Sequence, residues 1–251
     1  VTKTMSKGIE IESRDSFNIS NDINENVAGI AAQAMLKNID IDFGFKIIIN
    51  KGIKPGSGIG SSAASSAGTV YAINQLLNSH FDNLDLVRFS MEGENFVSGS
   101  YHADNVAPII LGGITLVRSI SDLDIIKLPS PKSLEVIIIR PNIEIKTSDS
   151  RRVVKKKVKI EKMVQQSANL GAFISSLYSE DFDLMSRSVV DEVVEPDRSM
   201  LIPEFESIKK ISIESGALSC GISGSGPSIF ALSNNSKTSK IILNNICCHL
   251  D

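Results

Sequence analysis

The sequence predicts a globular chain that mixes α-helices with β-strands, and three observations carry that prediction. Its 251 residues are 42% hydrophobic and 22% charged, an ordinary balance for a folded protein. Apolar residues recur at the two-residue step of a strand in some stretches and at helical steps in others. Between residues 42 and 77 a strand, a glycine-rich turn and a helix follow one another directly. The length fits one large domain or two modest ones and suffices for a real core.

In chain order, residues 1–25 are polar, with a short alternating run at 8–12 that reads as a strand. Val27, Ile30, Ala31, Ala34 and Met35 fall at helical spacing within 26–36. Phe43, Phe45, Ile47 and Ile49 alternate through a strand at 42–50. After the glycine-rich turn, Ala64, Ala67, Val70, Ile73 and Leu77 mark a helix, with Ser61 or Ser62 placed to cap it. A second amphipathic helix, 84–96, puts Leu84, Val87 and Met91 on one stripe, and Glu94 falls next on that stripe. Residues 99–108 form a polar loop leading into a strand at 113–119. Pro129 and Pro131 break the pattern, and a boundary there separates expected domains 1–130 and 131–251. Residues 134–140 read as a strand buried on both faces, and 141–152 as a polar connection. A long amphipathic helix at 160–177 and a shorter one at 182–190 follow. Glu195-Pro196-Asp197-Arg198 reads as a turn. Pro203 stands near the start of a helix at 204–215 that Gly216 stops. Strands at 217–221 and 229–232 flank Ser223-Gly224-Ser225-Gly226-Pro227, and the last helix spans 238–247.

Several function classes are disfavoured. A net charge of −3 offers no broad basic field, so nucleic acid is a poor partner. The basic run 151–159 reads as a solvated face, Arg151 apart. No apolar run reaches the ~20 residues of a membrane helix, and no secretory leader is read at the start. The cysteines, Cys220, Cys247 and Cys248, are odd in number and clustered. They form no disulfide framework and point to a reducing, cytoplasmic compartment. A serine hydrolase would want a G-x-S-x-G elbow, which is missing.

The chemistry concentrates in three places. The stretch Lys54-Pro55-Gly56-Ser57-Gly58-Ile59-Gly60-Ser61-Ser62-Ala63-Ala64 is predicted to cradle phosphate. Its glycines let the backbone approach a ligand, and the first helix amides have no internal partner. It is neither a Walker A loop nor a dinucleotide fingerprint. Glu94 is a carboxylate continuing an apolar face. It either meets a cation, a metal or several donors, or sits at the helix end and turns to water. The loop holding His102, Asp104 and Asn105 is either functional or a turn built on Asx hydrogen bonds. His102 has no second ligand at metal-binding spacing.

These patterns together resemble the homoserine kinases of the GHMP kinase superfamily. Gly-Ile-Gly-Ser-Ser-Ala-Ala (residues 58–64) is similar to the superfamily's phosphate loop. Glu94 in Glu-Gly-Glu-Asn, His-Ala-Asp-Asn-Val-Ala-Pro at 102–108 with Gly112-Gly113, and Thr147 with Arg151 come next. Val-Gln-Gln-Ser-Ala-Asn at 164–169, Glu-Pro-Asp-Arg at 195–198 with Leu-Ile-Pro at 201–203, and Ile-Ser-Gly-Ser-Gly-Pro-Ser at 222–228 complete an ordered series. It spans residues 54 to 232. Two departures stand out. The N-terminal Pro-Ala-x-x-Ala-Asn-Leu-Gly-x-Gly-Phe-Asp motif is missing, so the chain is expected to begin part-way into the first family domain. Its end is expected to fall short of a final strand. Lys54 also stands where the loop proline is usual, with Pro55 one place later.

The resemblance implies two α+β domains: a ribosomal-protein-S5-like N-terminal domain and a ferredoxin-like C-terminal one. It implies ATP-dependent phosphorylation of the side-chain hydroxyl of L-homoserine, a step of threonine biosynthesis, with Mg²⁺ and often a homodimer. Residues 54–64 would hold the ATP phosphates, and Ser62 with Glu94 the metal ion. Asp104 would grip the substrate ammonium and Asn105 the attacking hydroxyl, while Arg151 and Arg198 would pair with the carboxylate. Thr147 and His102 would contribute to substrate binding, and Ser223 and Gly224 would close over it. No residue is an obvious general base. Direct attack by the aligned hydroxyl is expected, with His102 orienting its loop and, as the lesser alternative, acting as base. A mevalonate-type or sugar kinase is the rival within the superfamily. A non-catalytic nucleotide-binding regulator is the rival outside it.

Overall fold

Strands and helices sort into two units. The computed structural model describes residues 1–250 except Asp15, Glu144 and Lys146, and except the side chains of Thr147 and Ser148. One unit comprises Val1–Pro55 and Gly60–Lys127, the other Gly56–Ile59 and Leu128–Asp251. The chain thus leaves the first unit at Pro55, contributes four residues to the second, and returns at Gly60.

In the first unit, β1 (Thr2–Thr4) and β2 (Gly8–Ser13) flank β3 (Gly44–Ile49), antiparallel and parallel respectively. Helices α1 (Val27–Leu36), α2 (Ser61–Leu76) and α3 (Asn83–Ser98) pack with this sheet around Ala31, Met35, Phe45, Ile47, Val70, Ile73 and Leu86. Asn26 caps α1 by accepting the Ala28 N–H, and Asp82 caps α3 by accepting that of Asp85. The close approach of α3 to its neighbours depends on Gly93. A Cβ there would lie 2.4 Å from Ser66 Oγ and 2.6 Å from the Val27 carbonyl. A short helix α4 (Val106–Leu111) occupies part of what reads as loop in sequence, and buries Val106 and Ala107 against Ala63, Val87 and Met91. Pro108 is tolerated because it falls in the first turn, where its missing N–H is not needed. Strands β4 (Ile114–Ser119) and β5 (Asp124–Leu128) pair separately. The second of them is not apparent from the sequence.

The second unit is built on an antiparallel sheet of β6 (Glu135–Ile139), β8 (Ile229–Ser233) and β7 (Ser219–Ile222), in that spatial order. Helices α9 (Phe205–Glu214) and α10 (Ser236–Leu250) cover one face, burying Phe205, Ile208, Ile242 and Ile246 against Ile137, Ile229 and Ala231. The run Leu-Glu-Val-Ile-Ile-Ile-Arg is therefore not buried on both faces. Val136 is 56% and Ile138 43% exposed, because β6 alternates in the ordinary way and only one side meets helices. The remaining elements are α5 (Thr147–Arg152), α6 (Ile160–Ser179), α7 (Phe182–Ser188) and α8 (Glu195–Arg198), the last running into a 3-10 turn at Ser199–Leu201. The helix α5 lies in what reads as a polar connection, and the expected turn at 195–198 is a full helical turn. Both units combine helices with β-sheet, mixed in the first unit and antiparallel in the second, an α+β arrangement. Among the described residues, no helix is long and apolar enough to cross a membrane.

Candidate active site

The N-terminus of α2 organises the candidate site residues of the first unit. Gly56, Gly58 and Gly60 all take left-handed φ, a conformation in which a Cβ is costly. Gly60 leads directly into the helix, and no side chain caps it. The expectation that Ser61 or Ser62 caps this end is thus corrected. The Ser61 hydroxyl donates to the Ile53 carbonyl at 2.7 Å, and that of Ser62 lies close enough to Glu94 to favour its charged form. The first intrahelical bond runs from the Ala64 N–H to the Gly60 carbonyl at 2.9 Å. The amides of Ser61, Ser62 and Ala63 precede it and are open to an anion.

Glu94 stands beside them. It lies one residue past Gly93, the point where α3 meets Ser66, and Ser62 is one turn earlier on the same face of α2. Glu94 is 9% exposed, and its Oε1 has no hydrogen-bond partner among the described residues. Burial pushes its pKa above the usual carboxylate range. The nearby Ser62 hydroxyl opposes that shift, the negative charge of Asp104 adds to it, and the ammonium of Lys51 opposes it. Asp104 and Glu94 are thus electrostatic neighbours within this unit. Asp104 and Asn105 are exposed at the start of α4, over a buried Ala103. Asn105 lies against the glycine turn, since a Cβ on Gly60 would come within 3.3 Å of its Oδ1. His102 Nε2 is 2.8 Å from the Ser100 hydroxyl, which braces the loop. Lys51, whose Nζ donates to Ser65 Oγ at 3.0 Å, has no sequence pattern to announce it.

In the second unit, the front of the glycine turn is held by residues 223–228. The Ser57 carbonyl accepts both the N–H and the hydroxyl of Ser228, at 3.2 and 2.6 Å, and the Gly58 carbonyl accepts the Ser223 hydroxyl at 2.9 Å. Gly58 sits so tightly that a Cβ would meet the Gly226 carbonyl at 2.4 Å. Arg198, at the end of α8, donates through Nε to the Ser150 carbonyl at 3.3 Å and through Nη1 to the Gly224 carbonyl at 2.9 Å. The buried Ser150 in turn donates its hydroxyl to the Ser225 carbonyl at 2.8 Å. Burial lowers the Arg198 pKa, the charge of Asp191 opposes that, and the nearby Arg151 adds to it. Arg151 is exposed on α5, which Thr147 opens; the Thr147 side chain lies outside the described residues. A cavity of about 210 Å³ within this unit is lined by Asn169, Phe173, Asp191, Arg198, Gly224 and Phe230, among others. Asp191 and Ser150 belong to no motif read in the sequence.

A single carboxylate with a hydroxyl suits Mg²⁺, a hard cation that keeps few protein ligands and takes the rest of its shell from phosphate and water. The Oε1 of Glu94, unpartnered among the described residues, would supply the donor. Among the described residues no group of three or more His, Cys, Asp or Glu side chains could hold a metal without help.

Comparison with known proteins agrees across the chain. Residues 26–113 match the GHMP kinases N terminal domain and residues 173–251 the GHMP kinases C terminal family. Homoserine kinase from Chlorobaculum tepidum is 42% identical over 206 residues, 82% of this chain and 64% of that protein. The chain thus spans just under two thirds of that relative. Homoserine kinase from Methanococcus maripaludis is 38% identical over 225 residues, 89% of this chain and 74% of that one. The crystal structure of homoserine kinase from Cytophaga hutchinsonii superposes with a TM-score of 0.93 at 43% identity, covering 97% of this chain and 78% of the other.

Proposed function

The chain belongs to the GHMP kinase family, and from that premise we propose that it transfers the γ-phosphoryl group of ATP to the side-chain hydroxyl of L-homoserine, yielding O-phospho-L-homoserine. The observation that carries the reading is Glu94: a buried carboxylate beside the Ser62 hydroxyl at the start of α2, with its Oε1 unbonded among the described residues. A protein that only bound an anion would have no use for an unmet negative charge beside the helix amides that attract phosphate. Ser62 and Glu94 would hold Mg²⁺, which when bound would neutralise phosphate charge.

The remaining roles divide by charge. The glycine turn from Lys54 to Ala64 takes the triphosphate through backbone amides. Asp104 takes the substrate ammonium, and Asn105 aligns the hydroxyl. Arg198 and Arg151 take the carboxylate, with Thr147, Ser223 and Gly224 nearby in sequence or structure. Each charge-assisted hydrogen bond of this kind contributes about 1.5–3 kcal/mol. A zwitterionic alcohol is therefore favoured over mevalonate or a sugar, which lack the ammonium that Asp104 would hold. The attacking hydroxyl loses its proton to phosphate or water, and His102, bonded to Ser100, orients the loop.

Release of ADP with L-homoserine, mevalonate and galactose as acceptors, each with Mg²⁺, tests this. Turnover is expected with homoserine alone. Turnover with mevalonate or galactose assigns another acceptor, and nucleotide binding without turnover on any of them leaves a regulator on the same scaffold.

A further inference from the structure

The segment before Arg198 contains a carboxylate that the chemistry above does not use. Asp191 Oδ1 accepts the Val193 N–H at 2.9 Å and the Val194 N–H at 2.8 Å, and its Oδ2 accepts the Glu195 N–H at 3.2 Å. These amides lead into α8, whose last residue is Arg198, whose first i→i−4 bond runs from the Arg198 N–H to the Val194 carbonyl at 3.1 Å, and which closes with the Ser199 N–H on the Glu195 carbonyl. A helix of four residues, continued only by a single 3-10 turn, gains little from propagation to offset unfavourable nucleation. Its opening amides need partners from outside, and a negative group is favoured there. One side chain meets that need for three consecutive residues.

Asp191 also acts on Arg198 at a distance. It lies near enough for its charge to favour the guanidinium, yet no ion pair joins the two among the described residues. Its oxygens are already committed to the backbone. The carboxylate therefore offsets part of the cost of burying the cation without occupying the cation's donors. Glu195, on the same turn, is engaged by Lys209 and does not compete. Arg198 keeps its Nη2 donors unbonded among the described residues, on the wall of the same cavity as Asp191.

We propose that Asp191 is a positioning residue: it fixes the α8 turn so that the Arg198 fork faces a substrate carboxylate, and it sets affinity for that carboxylate rather than the rate of phosphoryl transfer. The inference rests on the assignment of Arg198 to the carboxylate. It is tested by Asp191→Ala, Asp191→Asn and Arg198→Met in the full chain, by steady-state kinetics in both substrates and by hydrogen–deuterium exchange over residues 193–198. Asp191→Ala is expected to raise the homoserine KM about tenfold, the loss of one or two net hydrogen bonds, while kcat and the ATP KM stay within about twofold. Exchange at 193–195 should quicken. Asp191→Asn, which keeps one acceptor and loses the charge, should fall between. An unchanged or lowered homoserine KM in Asp191→Ala overturns the proposal. If Arg198→Met raises that KM and Asp191→Ala does not, only the positioning role fails; if neither raises it, the carboxylate assignment fails as well. Should Asp191→Ala not fold, Asp191→Asn decides: faster exchange with a wild-type KM overturns the role, and a raised KM supports it.

Discussion

The two charged regions are built on opposite plans. Around Glu94 the protein buries a carboxylate and leaves its Oε1 without a bond among the described residues. Around Arg198 it half-buries a guanidinium and fixes it with carbonyls from Ser150 and Gly224, while Asp191 anchors the backbone that carries it. An unmet buried charge is expensive. A braced cation is not, and loses little further freedom when an anion arrives. The difference separates two ways of using charge. The acidic region has a deficit that a metal ion would fill, and the basic region has an aim that a ligand would use.

The largest effect is expected where that deficit is removed. Glu94→Gln keeps the shape and the Ser62 contact but not the charge. It should lower kcat by on the order of 10²–10³-fold, the scale of losing one charge-stabilising element. A smaller loss would mean that the acidic region is structural. Next in size is Gly58→Ala, which attacks the bracing of the other region. The new Cβ would meet the Gly226 carbonyl at 2.4 Å on a backbone with φ of +79°. Urea denaturation should show a loss of about 2–3 kcal/mol, against about 1 kcal/mol for Gly99→Ala, whose backbone is equally left-handed but faces open space. Equal losses would show that the fit at Gly58 has no energetic weight.

The smallest effect has the opposite sign. In metal-free chain at pH 8, Glu94→Gln should be more stable than the parent, by about 1 kcal/mol, because it removes a buried charge. The raised pKa of Glu94 fixes the pH window. The parent carries the penalty above that pKa and is relieved of it as pH falls below the ordinary carboxylate value, where Glu94 is protonated in both folded and unfolded chains. Thermal unfolding across that range should show the gap close on acidification. A gap that stays constant with pH would dissociate it from the charge.

What could be read beforehand follows from how local the physics is. Glu94 was visible because Leu84, Val87 and Met91 set a helical period that it continues, and α3 holds all four. The glycine turn between β3 and α2 was visible for the same reason. The destinations of the Ser61 and Ser62 hydroxyls were not. Each lies beside a group from elsewhere in the chain, Ile53 and Glu94, and neither caps the helix end that propensity favours. Strand β6 misled because a run of isoleucines carries no alternation to show which face lacks a covering helix. Helix α4 was hidden by Pro108 and by its six-residue length. Asp191 left no trace, since its three bonds are a matter of backbone conformation between α7 and α8.

The excursion of Gly56–Ile59 into the second unit bears on how this protein can be divided. A cut at Lys127 would deprive Ser228, which is fully buried, of the carbonyl that takes both of its donors, and would leave Ser223 without Gly58. The other fragment would retain the four glycine-turn residues without the partners that shape them. Neither piece is a transferable module, so recombination with a relative would have to exchange the tetrapeptide together with the distant C-terminal segment that grips it.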